Sequence, residues 1–82
     1  MKRDPRQTPQ PQPELGKAIR ALREKRGESQ ESFGPKAGIT PGTLSLIERG
    51  EANPTWGTVR GIAAALGVPV STLAKAAERL EG

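Results

Sequence analysis

From Glu14 onward the apolar residues of this chain recur with the spacing of a helix. Leu15, Ala18, Ile19 and Leu22 fall at i, i+3, i+4 and i+7, on one face. Gly27, just past Lys25 and Arg26, is the stop such a segment calls for. A second helix is predicted from Ser29, a good N-cap, with Glu31 in its first turn and Phe33 and Ala37 on its inner face, ending at Gly38. Thr40 caps a third, with Pro41 at the first helical position, Leu44 and Ile47 inward and Gly50 closing it. Thr55 opens a fourth, whose inner face is Val59, Ile62, Ala63 and Leu66 and whose stop is Gly67. A fifth begins near Pro69 and Val70, with Leu73, Ala76, Ala77 and Leu80 again at i, i+3, i+4 and i+7. No segment sustains the alternation of a strand, so the fold class is all-α.

Two features strain this pattern. Gly57 and Gly61 lie inside the fourth helix, each at a cost of about 1 kcal/mol relative to Ala. A close neighbouring helix would explain Gly61; nothing in the sequence explains Gly57. Pro35, at about the sixth position of the second helix, removes a ladder hydrogen bond and disfavours helical geometry at Gly34, at roughly 3 kcal/mol. The second helix is therefore expected to be kinked or shortened.

Residues 1–13, "MKRDPRQTPQPQP", are of another kind. They hold four of the eight prolines, three glutamines and no aliphatic side chain beyond Met1. Such a stretch buries no core, which predicts a disordered or polyproline-like tail before a single domain at 14–82. Lys2, Arg3 and Arg6 against Asp4 give it +2, half of the net +4 of the 82-residue chain. It reads either as a solubilising leader or as a basic arm that lies along a phosphate backbone.

Composition narrows the chemistry. The chain has neither cysteine nor histidine, which removes disulfides, thiolate metal sites, the commonest general base and the commonest metal ligand. Glu48 and Glu51 lie beside Arg49, an arrangement better explained by helix-end electrostatics than by catalysis. We therefore expect no enzyme activity, no cofactor and no metal. No apolar run approaches the roughly 20 residues of a membrane span, and the N-terminal charges are not followed by the apolar region of a signal peptide. The expected location is cytoplasmic, with no membrane partner and no evident small-molecule ligand.

The runs "IRALREKRGESQESF", "AGIT", "LSLIERG", "NPT" and "IAAALGVPVSTL" resemble the Cro and phage-repressor type (Xre-like) DNA-binding domain, over about Leu15 to Leu73. The second helix, the turn Gly38-Ile39-Thr40 and the third helix correspond to its helix-turn-helix. The resemblance implies a five-helix lambda-repressor-like domain that docks its third helix, about residues 41–49, in the major groove of double-stranded DNA. It implies that Arg23 and Glu48 pair between first and third helices, where the plainer reading is two solvated charges. It implies that Gln30, opening the second helix, bonds a DNA phosphate, where the plainer reading is helix surface. Asn53 falls where the family's chain approaches the backbone, and is equally placed to be a turn residue before Pro54.

With Leu44 and Ile47 inward, Pro41, Gly42, Ser45, Leu46 and Arg49 lie outward, with Thr43 at one edge. Side chains that read a base through two hydrogen bonds are absent at the first two positions. Thr43 and Ser45 offer single hydrogen bonds, Leu46 a contact for a thymine methyl, and Arg49 a cation near the helix end; Thr40, the cap, completes the DNA-binding set. Specificity then draws also on the basic arm and on DNA shape. These features predict a sequence-specific transcriptional regulator, a repressor, acting as a homodimer on two half-sites. The alternative is a protein-interaction module of the same fold, such as an antitoxin or coactivator-like subunit. Ala76, Ala77 and Leu80 of the fifth helix are either a self-association stripe or part of the domain's own core.

Overall fold

The structure, a computed structural model, describes residues 12–81. Five helices follow in order: α1 (Pro13–Lys25), α2 (Gln30–Lys36), α3 (Pro41–Glu48), α4 (Trp56–Leu66) and α5 (Val70–Leu80). Lys2, Arg3 and Arg6 of the expected arm lie outside the described residues. Helix α1 starts one residue before the expected boundary, because Pro13 occupies its first turn, where the missing N–H has no helical partner to lose.

Each helix sends one large side chain to full burial: Ile19, Phe33, Leu44, Ile62 and Leu73. Burying each stabilises the fold by about 1.5–3 kcal/mol. Ala18, Ala37, Ile47, Ala63, Leu66 and Ala77 complete the core. Helix α5 packs chiefly on α1, while α3 lies against both α1 and α2. Of the α5 stripe, Ala77 is in the core and Ala76 packs against it, so only Leu80 remains half exposed. The stripe belongs mainly to the domain's own interior.

The caps follow the sequence. Ser29 accepts from the Ser32 N–H at 3.0 Å, and the Ser32 hydroxyl accepts in return from the Ser29 N–H at 3.1 Å. Thr40 and Thr55 cap α3 and α4 in the same way, each accepting at 3.1 Å from the N–H three residues on. The stretches Thr40-Pro41-Gly42-Thr43 and Thr55-Trp56-Gly57-Thr58 are thus one structural unit used twice. Gly57, unexplained by the periodicity, is the counterpart of Gly42. Both face open space, with only the capping threonine hydroxyl at 3.9 Å from where a Cβ would sit.

Pro35 is accommodated inside α2, which is seven residues long and ends one residue later. The preceding Gly34 makes this possible, because a residue without a Cβ avoids part of the clash with the proline ring. Gly34 is also buried against the turn: a Cβ there would stand 2.9 Å from the Ile39 carbonyl oxygen. Gly38 carries the chain through that turn at φ +79°, a left-handed conformation that other residues enter at a cost. Gly61 lets α4 approach the end of α2, where a Cβ would lie 2.6 Å from the Ala37 carbonyl oxygen. Helices α2 and α3 are in this way set across a four-residue turn, residues 37–40, with backbone packed on backbone.

Candidate nucleic-acid interface

Burial of Leu44, Ile47 and Glu48 turns the opposite side of α3 outward. Gly42, Thr43, Leu46 and Arg49 are exposed there, Leu46 at 40%, and Pro41 and Ser45 are half-buried. This is the set expected from the helical spacing. The Thr40 hydroxyl donates to Thr43 Oγ1 at 3.0 Å while accepting the Thr43 N–H. Thr43 keeps its own hydroxyl proton for an outside acceptor. Arg49 folds back along the last turn, its Nε donating to the Ser45 carbonyl at 3.4 Å and its Nη1 lying 3.6 Å from Glu51 Oε2. The strongest cation of this face therefore carries a carboxylate beside it.

Behind the outer face, Arg23 and Glu48 pair. Arg23 Nε donates to Glu48 Oε2 at 2.7 Å and Nη2 to Oε1 at 2.9 Å, from residues only 7% and 6% exposed. Arg23 Nη1 also donates to the Glu28 carbonyl at 2.7 Å, so one guanidinium ties α1, the α1–α2 loop and α3. Its hydrogen bond to Glu48 raises the Arg23 pKa above its ordinary value, burial pulling the other way and the charges of Glu48, Glu24 and Glu31 adding to the rise. A two-point, desolvated pair of this kind fixes angle as well as distance.

Gln30 is at the first position of α2, and its side-chain Nε2 donates to Glu48 Oε1 at 3.0 Å. The amide thus joins the Arg23–Glu48 pair, a link the sequence did not suggest: 18 residues separate the partners and no periodicity relates them. Asn53 is exposed in the loop between α3 and α4. A second group that sequence reasoning missed is Glu28, which accepts from Lys36 Nζ at 2.7 Å and lies 3.4 Å from Arg26 Nε. The hydrogen bond from Lys36 leads in holding its carboxyl below the usual carboxylate range, with Arg26 assisting and burial opposing. These contacts stitch the start of α2 to its end.

Among the described residues no three His, Cys, Asp or Glu gather as a metal site. A cleft of about 350 Å³ lined by Leu22, Lys25, Arg26, Leu66 and Val68 shares no residue with the outer face of α3. Among the described residues no single helix is long and apolar enough to cross a membrane.

What remains is a short capped helix with one face exposed, braced by a buried ion pair and set across a turn from a second capped helix. The helix-turn-helix domain family matches this chain over residues 14–80. The chain belongs to that family. Within it, the domain is of the Cro and phage-repressor type. It is 36% identical over 59 residues to the immunity repressor protein of Bacillus phage phi105, covering 72% of this chain and 41% of that protein. It is 38% identical over 58 residues to the HTH-type transcriptional regulator SutR of Escherichia coli K12, covering 71% of this chain and 33% of that protein. The match thus spans less than half the length of either relative. Among solved structures, the clp gene regulator ClgR of Corynebacterium glutamicum superposes with a TM-score of 0.83 at 26% identity, over 90% of this chain and 96% of that one. The P22 c2 repressor, solved in complex with a synthetic operator, superposes with a TM-score of 0.67 at 29% identity, over 72% and 89%. The helix-turn-helix here is therefore of the kind that these repressors and transcriptional regulators carry.

Proposed function

We propose that this chain is a sequence-specific repressor that binds double-stranded DNA as a homodimer, laying residues 41–49 in the major groove. The observation that carries this reading is the exposed outer face of α3, which stands clear of a core that the same helix helps to build. On that face Thr43 and Ser45 make single hydrogen bonds to base edges or phosphates, Leu46 packs on a thymine methyl, and Arg49 reaches a base or the backbone. Gln30 at the start of α2, Thr40 and the N-terminus of α3 beside Pro41 and Gly42, and Asn53 in the following loop meet the phosphates. Lys2, Arg3 and Arg6 add sequence-independent attraction.

A dimer follows from the thinness of this readout. One helix with no bidentate reader at its first outward positions discriminates few base pairs, and two half-sites about one helical turn apart multiply the selectivity. Regulation, DNA as partner and a place in the cytoplasm with the nucleoid go together; among the described residues no constellation supports catalysis.

The test is selection of bound duplexes from a random pool at two salt concentrations. An enriched inverted repeat is the expected result. Recovery of no preferred sequence, with weak binding that disappears as salt rises, would leave α3 without a reading role and favour the protein-interaction use of the fold.

A further inference from the structure

We propose that Glu48 is the positioning residue for the phosphate contact of Gln30, and that it couples the start of α2 to the groove helix α3. The proposal rests on the DNA-binding reading above. Glu48 is the last residue of α3; Arg23 donates to both of its carboxylate oxygens, and Gln30 shares Oε1 with it. A carboxylate accepts only from the nitrogen end of a primary amide, so the Gln30 side chain has one orientation here. One of its two amide protons points to Glu48 at a heavy-atom distance of 3.0 Å. The second proton is left to donate, and its direction is set before DNA arrives. The loop leading into α2 is held by the same cluster, through Arg23 Nη1 on the Glu28 carbonyl, two residues before Gln30.

Two consequences follow. A surface glutamine loses rotamer freedom when it binds, and a pre-oriented one has already lost it, so removing Glu48 weakens that one contact by about three- to tenfold. Charge acts in the opposite sense. Arg23 and Glu48 neutralise each other, so Glu48→Gln adds a net positive charge, and electrostatics alone strengthens DNA binding in the variant. The two effects therefore differ in sign and in location on the duplex.

The experiment uses the full chain and a duplex recovered by selection, with single neutral methylphosphonates stepped along each strand. Wild-type affinity is expected to fall at one phosphate per half-site that becomes indifferent in Gln30→Ala. In Glu48→Gln that same phosphate is expected to lose its effect while the other positions keep theirs. A wild-type profile in Glu48→Gln, with the Gln30 phosphate identified, overturns the positioning role and leaves DNA binding intact. Absence of any wild-type binding overturns the DNA reading itself. Should Glu48→Gln not fold, side-chain nitrogen relaxation of Gln30 in the unbound wild-type protein decides. An order parameter near 0.85, like that of rigid backbone, supports the proposal, and one below about 0.6, like that of a free surface amide, overturns it.

Discussion

Gly16 and Glu48 meet backbone to backbone: a Cβ on Gly16 would stand 2.8 Å from the Glu48 carbonyl oxygen and nearer still to that of Ile47. Helix α1 crosses the end of α3 at a distance only glycine permits. The same residue that receives Arg23 and Gln30 through its side chain is thus seated against α1 through its main chain. Gly16→Ala should destabilise the domain by about 1–3 kcal/mol, because neither backbone can move without disturbing the ion pair. Gly57→Ala is the counter-case. With open space at that position, it should leave stability unchanged or raise it by up to about 1 kcal/mol through helix propensity. Urea unfolding of both variants checks the pair, and equal effects would mean that the approach of α1 to α3 is not what selects Gly16.

Removing either member of the buried pair exposes the other to an unpaired interior. Arg23→Ala or Glu48→Ala should cost about 3–5 kcal/mol. The exposed i, i+4 pair Arg20–Glu24, at 3.1 Å with both side chains more than half exposed, is the internal control. Arg20→Ala should change stability by no more than about 0.5 kcal/mol. Thermal melts of the variants side by side settle it; similar shifts at the two sites would show that the buried pair contributes no more than a surface one.

Legibility in the sequence divides along the range of the interactions. Helix limits were legible, because caps such as Ser29, Thr40 and Thr55 and stops such as Gly38 and Gly67 act within four residues of themselves. The outward set on α3 was legible because two inward residues, Leu44 and Ile47, fix the rotation of a helix eight residues long. Pro35 is an obstacle in the sequence pattern alone, and the reason it is tolerated lies in its neighbour Gly34, whose missing Cβ serves both the proline ring and the turn. Arg23 and Glu48 came together only through resemblance to a family. The bond from Gln30 to Glu48 and the grip of Lys36 and Arg26 on Glu28 were not legible, since side chains meeting across a turn leave no period in the chain.

Glu28 makes stability depend on pH in a defined direction. Lys36 and Arg26 favour its charged form in the folded state, so its folded pKa lies below the unfolded value. The stabilisation it gives is complete above the ordinary glutamate value of about 4.3. It is lost as pH falls through the lower folded value, because the folded and unfolded groups then carry the same proton. Glu28→Gln should therefore be less stable than wild type at pH 7 and indistinguishable from it in strong acid. Denaturant titrations at both pH values measure this, and a difference that persists in acid would assign the effect to the neutral hydrogen bonds of the site instead.

Arg49 and Glu51 set the charge that α3 presents to DNA. Their separation of 3.6 Å, with both side chains more than half exposed, makes the pair weak and easily exchanged for a phosphate. Glu51 then acts in two ways, as a competitor for the guanidinium and as a negative charge close to the backbone it must approach. Glu51→Gln should raise affinity for selected and unrelated duplexes alike, with the larger gain at low salt, where charges are least screened. Arg49→Ala should lower affinity. If Arg49 neutralises a phosphate, the slope of log affinity against log salt should fall by about 1, evenly across sequences. If it reads a base, the loss should instead be confined to the selected duplex. A Glu51→Gln variant whose salt dependence matches wild type would show that Arg49 works without interference from its neighbour.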